Sequence, residues 1–182
     1  MTNKEEFKQK LIENGFDCYI LYLVTGDETS ICNRLNRRYP GAYFLTLRRM
    51  MHRSKDGKKW NEEDLLIKRY IFVYVEKNVS MRFLSEIGSL LYINDCDDKG
   101  KLVGENFEFA NWVLKIDGLL GISKAIMKDG LVKITDGPLH EMEDKIVKYS
   151  KRNRNCYVRM NIADILIETW LPFEWELKSD FE

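Results

Sequence analysis

The side chains that most often do chemistry are few in this chain, with two histidines and four cysteines among 182 residues. His52 lies in a basic stretch and His140 in a turn, and neither stands beside a nucleophile pattern, so catalysis is not expected. The cysteines fall at 18, 32, 96 and 156 with no CxxC pair and no nearby histidine, which leaves zinc spacing absent. They read as free, reduced thiols. Cys18 and Cys156 sit in the strand-like runs CYILYLV and CYVRM, where a small apolar side chain packs well. No cofactor is expected.

What remains is charge, and its chemistry is that of binding anions. The 29 Lys+Arg and 29 Asp+Glu cancel, yet they are segregated along the chain. From Lys145 to Arg159 come Lys145, Lys148, Lys151, Arg152, Arg154 and Arg159 without one acid. From Arg34 to Arg69 basic residues again dominate, opposed only by Asp56, Glu62, Glu63 and Asp64, while Asp95, Asp97, Asp98, Glu105 and Glu108 make the middle acidic. Such segregation creates local positive fields at zero net charge. A plain solvated face is the competing explanation.

These residues need elements to hold them, and 45% apolar content is enough for a packed core. The longest apolar runs, Cys18 to Val24 and Tyr70 to Val75, fall far short of the roughly 20 residues of a membrane-spanning helix. The opening MTNKEEFKQK lacks the apolar segment and cleavage site of a secretory signal, so a cytoplasmic protein is expected. Phe7, Leu11 and Ile12 mark a short helix, capped by Asn3 and ended by Gly15. A strand over 18–24 follows, and Thr25-Gly26-Asp27 turns into a helix with Ile31 and Leu35 on one face, stopped by Pro40-Gly41. Ala42 to Met51 reads as a second strand, Asp56-Gly57 as a hairpin turn, and Tyr70 to Val75 as the strand that closes that pair. Ser80 caps a helix carrying Phe83, Leu84 and Ile87, with Leu90 to Ile93 a short strand after it. Phe109, Trp112, Val113 and Ile116 then fall on one helical face, and Trp112 and Phe109 are expected in the core.

Beyond Gly118 only short strands are expected, at Leu131 to Ile134, Lys145 to Tyr149, Cys156 to Met160 and Ile165 to Glu168, which suggests a small β-barrel. The reading is therefore an α+β chain: an antiparallel sheet with helices over 1–117, a linker over 118–128 and a barrel over 129–182.

The segment VKITDGPLHEMEDKIVKYSKRNRNCYVRM resembles a KOW module, with Val132, Lys133, Ile134, Asp136, Gly137, Pro138 and Leu139 in the order of that signature. A Gly-Pro pair supplies a tight turn, and the Lys151 to Arg154 loop projects cations. Where the family has a glycine after the turn this chain has Asp144, and Asp takes a positive φ only with strain. CYILYLVTGDE, a helix, a basic hairpin and RYIFVYVE are together similar to the N-terminal domain of NusG-type transcription factors. In place of that family's Phe-Pro-Gly-Tyr stands Ile67-Lys68-Arg69-Tyr70. GISKAIMKDGLVKITDGPL looks like the LoaP-type paralogs, antiterminators of long bacterial operons.

The resemblance implies a factor without chemistry of its own, acting as a monomer on the clamp of bacterial RNA polymerase and suppressing pausing and termination. By motif position, polymerase contact falls to Tyr22, Ile67, Tyr70 and Phe72, each of which also has a core explanation. Arg34, Arg37 and Arg38 would face nontemplate DNA, against the alternative of a solvated helix. An RNA hairpin in the nascent transcript leader would meet Lys124, Lys148, Lys151, Arg152, Arg154 and Arg159, with Tyr149 or Tyr157 stacking a base, although strand alternation puts Tyr157 in the core. Two other readings stay open: a general NusG-like factor whose KOW domain binds Rho or a ribosomal protein, and a KOW-containing RNA-binding protein with no polymerase contact.

Overall fold

The computed structural model describes residues 3–23, 27–77, 79, 89–90, 96–162 and 165–176. They form two compact units, Met1–Leu47 with Leu65–Gly118, and Arg48–Asp64 with Leu119–Glu182. The class is mixed α+β.

In the first unit, helix α1 (Asn3–Asn14) leads into strand β1 (Phe16–Tyr22), helix α2 (Glu28–Arg38) and strand β2 (Ala42–Leu45). Strand β5 (Tyr70–Glu76), the two-residue β6 (Ser89–Leu90) and helix α3 (Gly104–Lys115) complete it. The sheet order is β2-β5-β1-β6. β1 and β5 run antiparallel from Phe16↔Glu76 to Tyr22↔Tyr70. The YIFVYV run of β5, Tyr70 to Val75, is β-branched and aromatic without a break, as a strand covered on both faces requires. Ile71, Val73 and Val75 pack with Cys32 and Leu35 of α2. Phe72 and Tyr74 point the other way, where Phe72 meets Phe109 at 6.3 Å between ring centroids and the Tyr74 hydroxyl donates to the Ala110 carbonyl at 2.9 Å. Each such side chain removed from water stabilises the fold by roughly 1.5–3 kcal/mol. The cap expected at Asp27 is present, its Oδ1 accepting from the Ser30 amide at 3.2 Å.

In the second unit, β3 (Arg48–Lys55), β4 (Lys58–Leu65) and β7 (Leu119–Leu120) make a three-stranded sheet in the order β4-β3-β7. A five-stranded sheet has the order β10-β11-β12-β8-β9, built from β8 (Ser123–Lys128), β9 (Leu131–Asp136), β10 (Ile146–Ser150), β11 (Asn155–Ile162) and β12 (Ile165–Trp175). Cys156, Val158, Met160 and Ile162 alternate inward along β11, opposite Ile167 and Leu171 of β12. Gly137 has φ +86°, and a Cβ there would come within 2.8 Å of Ser123 Cα, so only glycine fits the turn that brings the Leu139 amide to Ser123 Oγ at 2.9 Å. Asp144, which stands where the resembled family has glycine, sits in a single 3-10 turn, Glu143–Lys145, and not at a positive φ. Its turn therefore needs no left-handed residue.

Three local expectations are corrected. The run over 42–51 divides into β2 and β3, and β3 pairs with β4, not with β5. The polar sequence KKWNEEDL hides β4, whose strand character comes from the Asp56-Gly57 turn (φ 51° and 77°) and from cross-strand pairs such as Arg53–Glu62 at 3.0 Å. On α3 the buried residues are Ala110, Val113 and Leu114, while Phe109, Trp112 and Ile116 stay half-buried, because the small Ala110 side turns toward the sheet. Ser123–Lys128, read as linker, is strand. The helix expected after Ser80 and most of the Leu90 to Ile93 strand lie outside the described residues, apart from Ser89–Leu90, which pairs with β1. Among the described residues no helix is long and apolar enough to cross a membrane.

Burial holds the Cys18 thiol well above its usual pKa and pushes that of Cys156 up to about 12. In the unfolded chain each ionises near 8.5. This part of the stability is therefore complete below that range and is lost as pH rises through the folded values. Alkylation with iodoacetamide at neutral pH is expected to spare both until denaturant is added; rapid labelling of the folded protein at Cys156 would show that β11 opens.

Candidate nucleic-acid interface

The four residues expected at a polymerase contact separate into two pairs. Tyr22 and Tyr70 are register partners at the end of β1 and β5, half-buried, with ring centroids 5.4 Å apart in an edge arrangement. Arg69, held at φ 68°, donates from Nη1 to the Tyr22 hydroxyl at 2.9 Å, and its amide donates to the Glu28 carboxylate. Burial raises the Glu28 pKa, but backbone N–H donors from Glu28, Arg69 and Asp27 more than offset it and leave the carboxyl below its usual range. Ile67, in the bend before β5, and Phe72, within it, are 5% and 1% exposed, so both are buried and not surface contacts.

Arg34, Arg37 and Arg38 are all exposed on α2. Arg37 Nε reaches back to the Asn33 carbonyl at 3.2 Å, and the Arg38 guanidinium lies 5.4 Å from the Tyr39 ring centroid. As part of the last turn, Arg37 and Arg38 also complement the helix dipole.

The second unit gathers cations that are far apart in sequence. A cleft of about 400 Å³ opens between the β3–β4 hairpin and the loop after β10. The hairpin contributes His52, Arg53, Lys59, Trp60 and Asn61 to it, and the loop contributes Arg152, Asn153 and Arg154. Among the described residues, Glu174 is the one carboxylate in the lining. Arg53 is paired with Glu62, whereas no ion pair among the described residues involves Lys59, Arg152 or Arg154. Trp60 is 45% exposed. His52 Nδ1 and Asn61 Oδ1 meet at 2.9 Å and tie the two strands together. At the hairpin base, Arg49 bonds Asp64 at 3.0 Å and also Thr169 of β12, which fixes the hairpin against the five-stranded sheet. The loop is held too: Arg154 adopts φ 51° and its carbonyl accepts from the Phe173 amide at 2.8 Å.

The other expected RNA contacts have internal partners or lie apart. Lys148 sits over the rings of Tyr157 and Trp170, at 5.0 and 5.2 Å from their centroids, and forms a row across β10, β11 and β12. Tyr157 is thus on the outer face and half-buried, not in the core. Lys151 Nζ donates to the Gly130 carbonyl, and Arg159 pairs with Glu168 at 2.7 Å. Lys124 is exposed and in register with Glu174 on the neighbouring strand. Of the six, only Arg152 and Arg154 line the cleft.

Sequence reading passed over Trp60, Lys59 and Asn61 as site residues. The signal available was an aromatic residue beside paired lysines directly after the Asp-Gly turn, but its meaning depends on the loop it faces. Among the described residues no cluster of His, Cys, Asp and Glu is arranged to hold a metal. No family model matches the chain, and no curated protein matches it.

Proposed function

We propose that this chain is a transcription antitermination and elongation factor of the NusG type, close to the LoaP paralogs, with its five strands closing as a KOW-type barrel. Its first unit binds the clamp of bacterial RNA polymerase, and its second unit binds an RNA hairpin in the nascent leader. The observation that carries the RNA part is the cleft, where Lys59, Arg152 and Arg154 outnumber one carboxylate and an exposed indole stands beside them. Cations with no ion pair among the described residues attract phosphate, and an exposed aromatic face stacks bases. For the polymerase part the support is the half-buried Tyr22–Tyr70 pair, an aromatic contact set at a strand end. Arg34, Arg37 and Arg38, exposed on α2, support a contact with nontemplate DNA.

The mechanism is differential binding. A ligand that prefers the closed, elongating polymerase raises its population, so pauses shorten and terminators are passed. The factor works in the cytoplasm as a monomer and needs no cofactor.

Transcription by bacterial polymerase through an intrinsic terminator tests this, using templates with and without the native operon leader. Readthrough that needs both the protein and the leader is the expected result. Leader-independent readthrough would favour the general elongation factor, a reading supported by the exposure of Leu131 (71%) and Val147 (53%) on the second unit, where a protein partner could pack. No effect on either template would remove the transcriptional reading.

A further inference from the structure

We infer that the cleft between the β3–β4 hairpin and the Lys151 to Arg154 loop takes an unpaired RNA base, stacked on Trp60. This rests on the RNA-binding reading above and names the form of RNA recognised. The geometry differs from what a double helix would need. A-form RNA offers its backbone and a shallow minor groove, which a convex or flat basic surface can follow. Here the cations line a concavity of about 400 Å³, and an indole 45% exposed is set into its wall. A base still in its stack has no free face for that indole, whereas a base from a loop, bulge or single strand has two.

The rest of the lining suits the same ligand. Arg152 and Arg154 can meet the flanking phosphates, and the amide of Asn153 offers a donor and an acceptor for a base edge. The hairpin is braced for this task. Its turn is the short Asp56-Gly57 type, and Arg49 holds its base to Asp64 and Thr169, so Trp60 is presented from a fixed ribbon.

The test compares full-length protein and its Trp60→Leu and Trp60→Phe variants on two labelled probes, a single-stranded oligoadenylate and a fully paired RNA duplex of equal phosphate number. Trp60→Leu is expected to weaken oligoadenylate binding by about fivefold to a hundredfold, the range for losing one stacked base, with its salt dependence unchanged. Trp60→Phe should retain most of the affinity, and the duplex should bind alike in all three. Intrinsic fluorescence should be quenched by oligoadenylate in the wild-type protein and far less in Trp60→Phe, a readout that stands even if Trp60→Leu is poorly folded. Equal binding of oligoadenylate by all three proteins with undiminished quenching, or an equal loss on both probes, would overturn the stacking assignment while leaving RNA binding intact. If the wild-type protein bound neither probe nor the leader, the RNA reading itself would fall, and this inference with it.

Discussion

Phe72→Ala is expected to cost about 3–5 kcal/mol and to unfold the first unit, whereas Tyr70→Ala should leave it folded and abolish polymerase binding. The two aromatics are two residues apart on β5, yet their surroundings differ. Phe72 is 1% exposed, with Tyr74 and Phe109 at 6.4 and 6.3 Å between ring centroids, so truncation opens a cavity between the sheet and α3. Single domains are stable by only about 5–15 kcal/mol, and such a loss consumes much of that. Tyr70 is half-buried and touches Tyr22 at the strand end, so its removal forfeits roughly 0.5–1.5 kcal/mol of pair energy and leaves the core closed. Denaturant midpoints and a pull-down with core polymerase check both statements. Unchanged affinity of Tyr70→Ala would exclude Tyr70 from the interface, and an unmoved midpoint for Phe72→Ala would contradict its place in the core.

The second large effect belongs to the loop. Reversing Arg152 and Arg154 to Glu should lower RNA affinity by about a hundredfold or more near 0.1 M salt and flatten its salt dependence, each lost phosphate contact removing about 0.7–0.9 from the logarithmic slope. Arg154 needs a control of its own because its φ of 51° is left-handed. Asn tolerates that conformation, so Arg154→Asn removes the charge without bending the loop. A loss in Arg154→Asn that matches its share of the slope assigns the effect to charge. Isotherms that do not shift with salt or substitution would place the RNA face elsewhere on the chain.

Much of the local structure was legible in the sequence. Asp27 caps α2, Asp56-Gly57 makes the expected turn, and Gly137 occupies a turn that no other residue fits. Each of these depends on residues a few positions apart, where steric rules act directly. β4 was not legible, because its sequence is polar and its stability comes from a partner strand and cross-strand ion pairs. The candidate site was legible only in halves. The acid-free run containing Arg152 and Arg154 stood out, but Lys148, Lys151 and Arg159, equally basic in sequence, have internal partners. Charge counts report composition and cannot report pairing.

The sequence by itself determined the mixed α+β class, the Asp56-Gly57 and Gly137 turns, the cap at Asp27, the apolar β1 and β5, and a positive segment with few acids, since these follow from residue type and short-range spacing. The tertiary structure alone decided that the hairpin over 48–64 packs in one unit with residues 119–182, that Phe72 is buried while Tyr70 reaches the surface, and that Trp60 and Lys59 share a cleft with Arg152 and Arg154. The physical reason is that burial and the meeting of distant side chains are set by which surfaces close against each other, and that is a property of the folded chain as a whole.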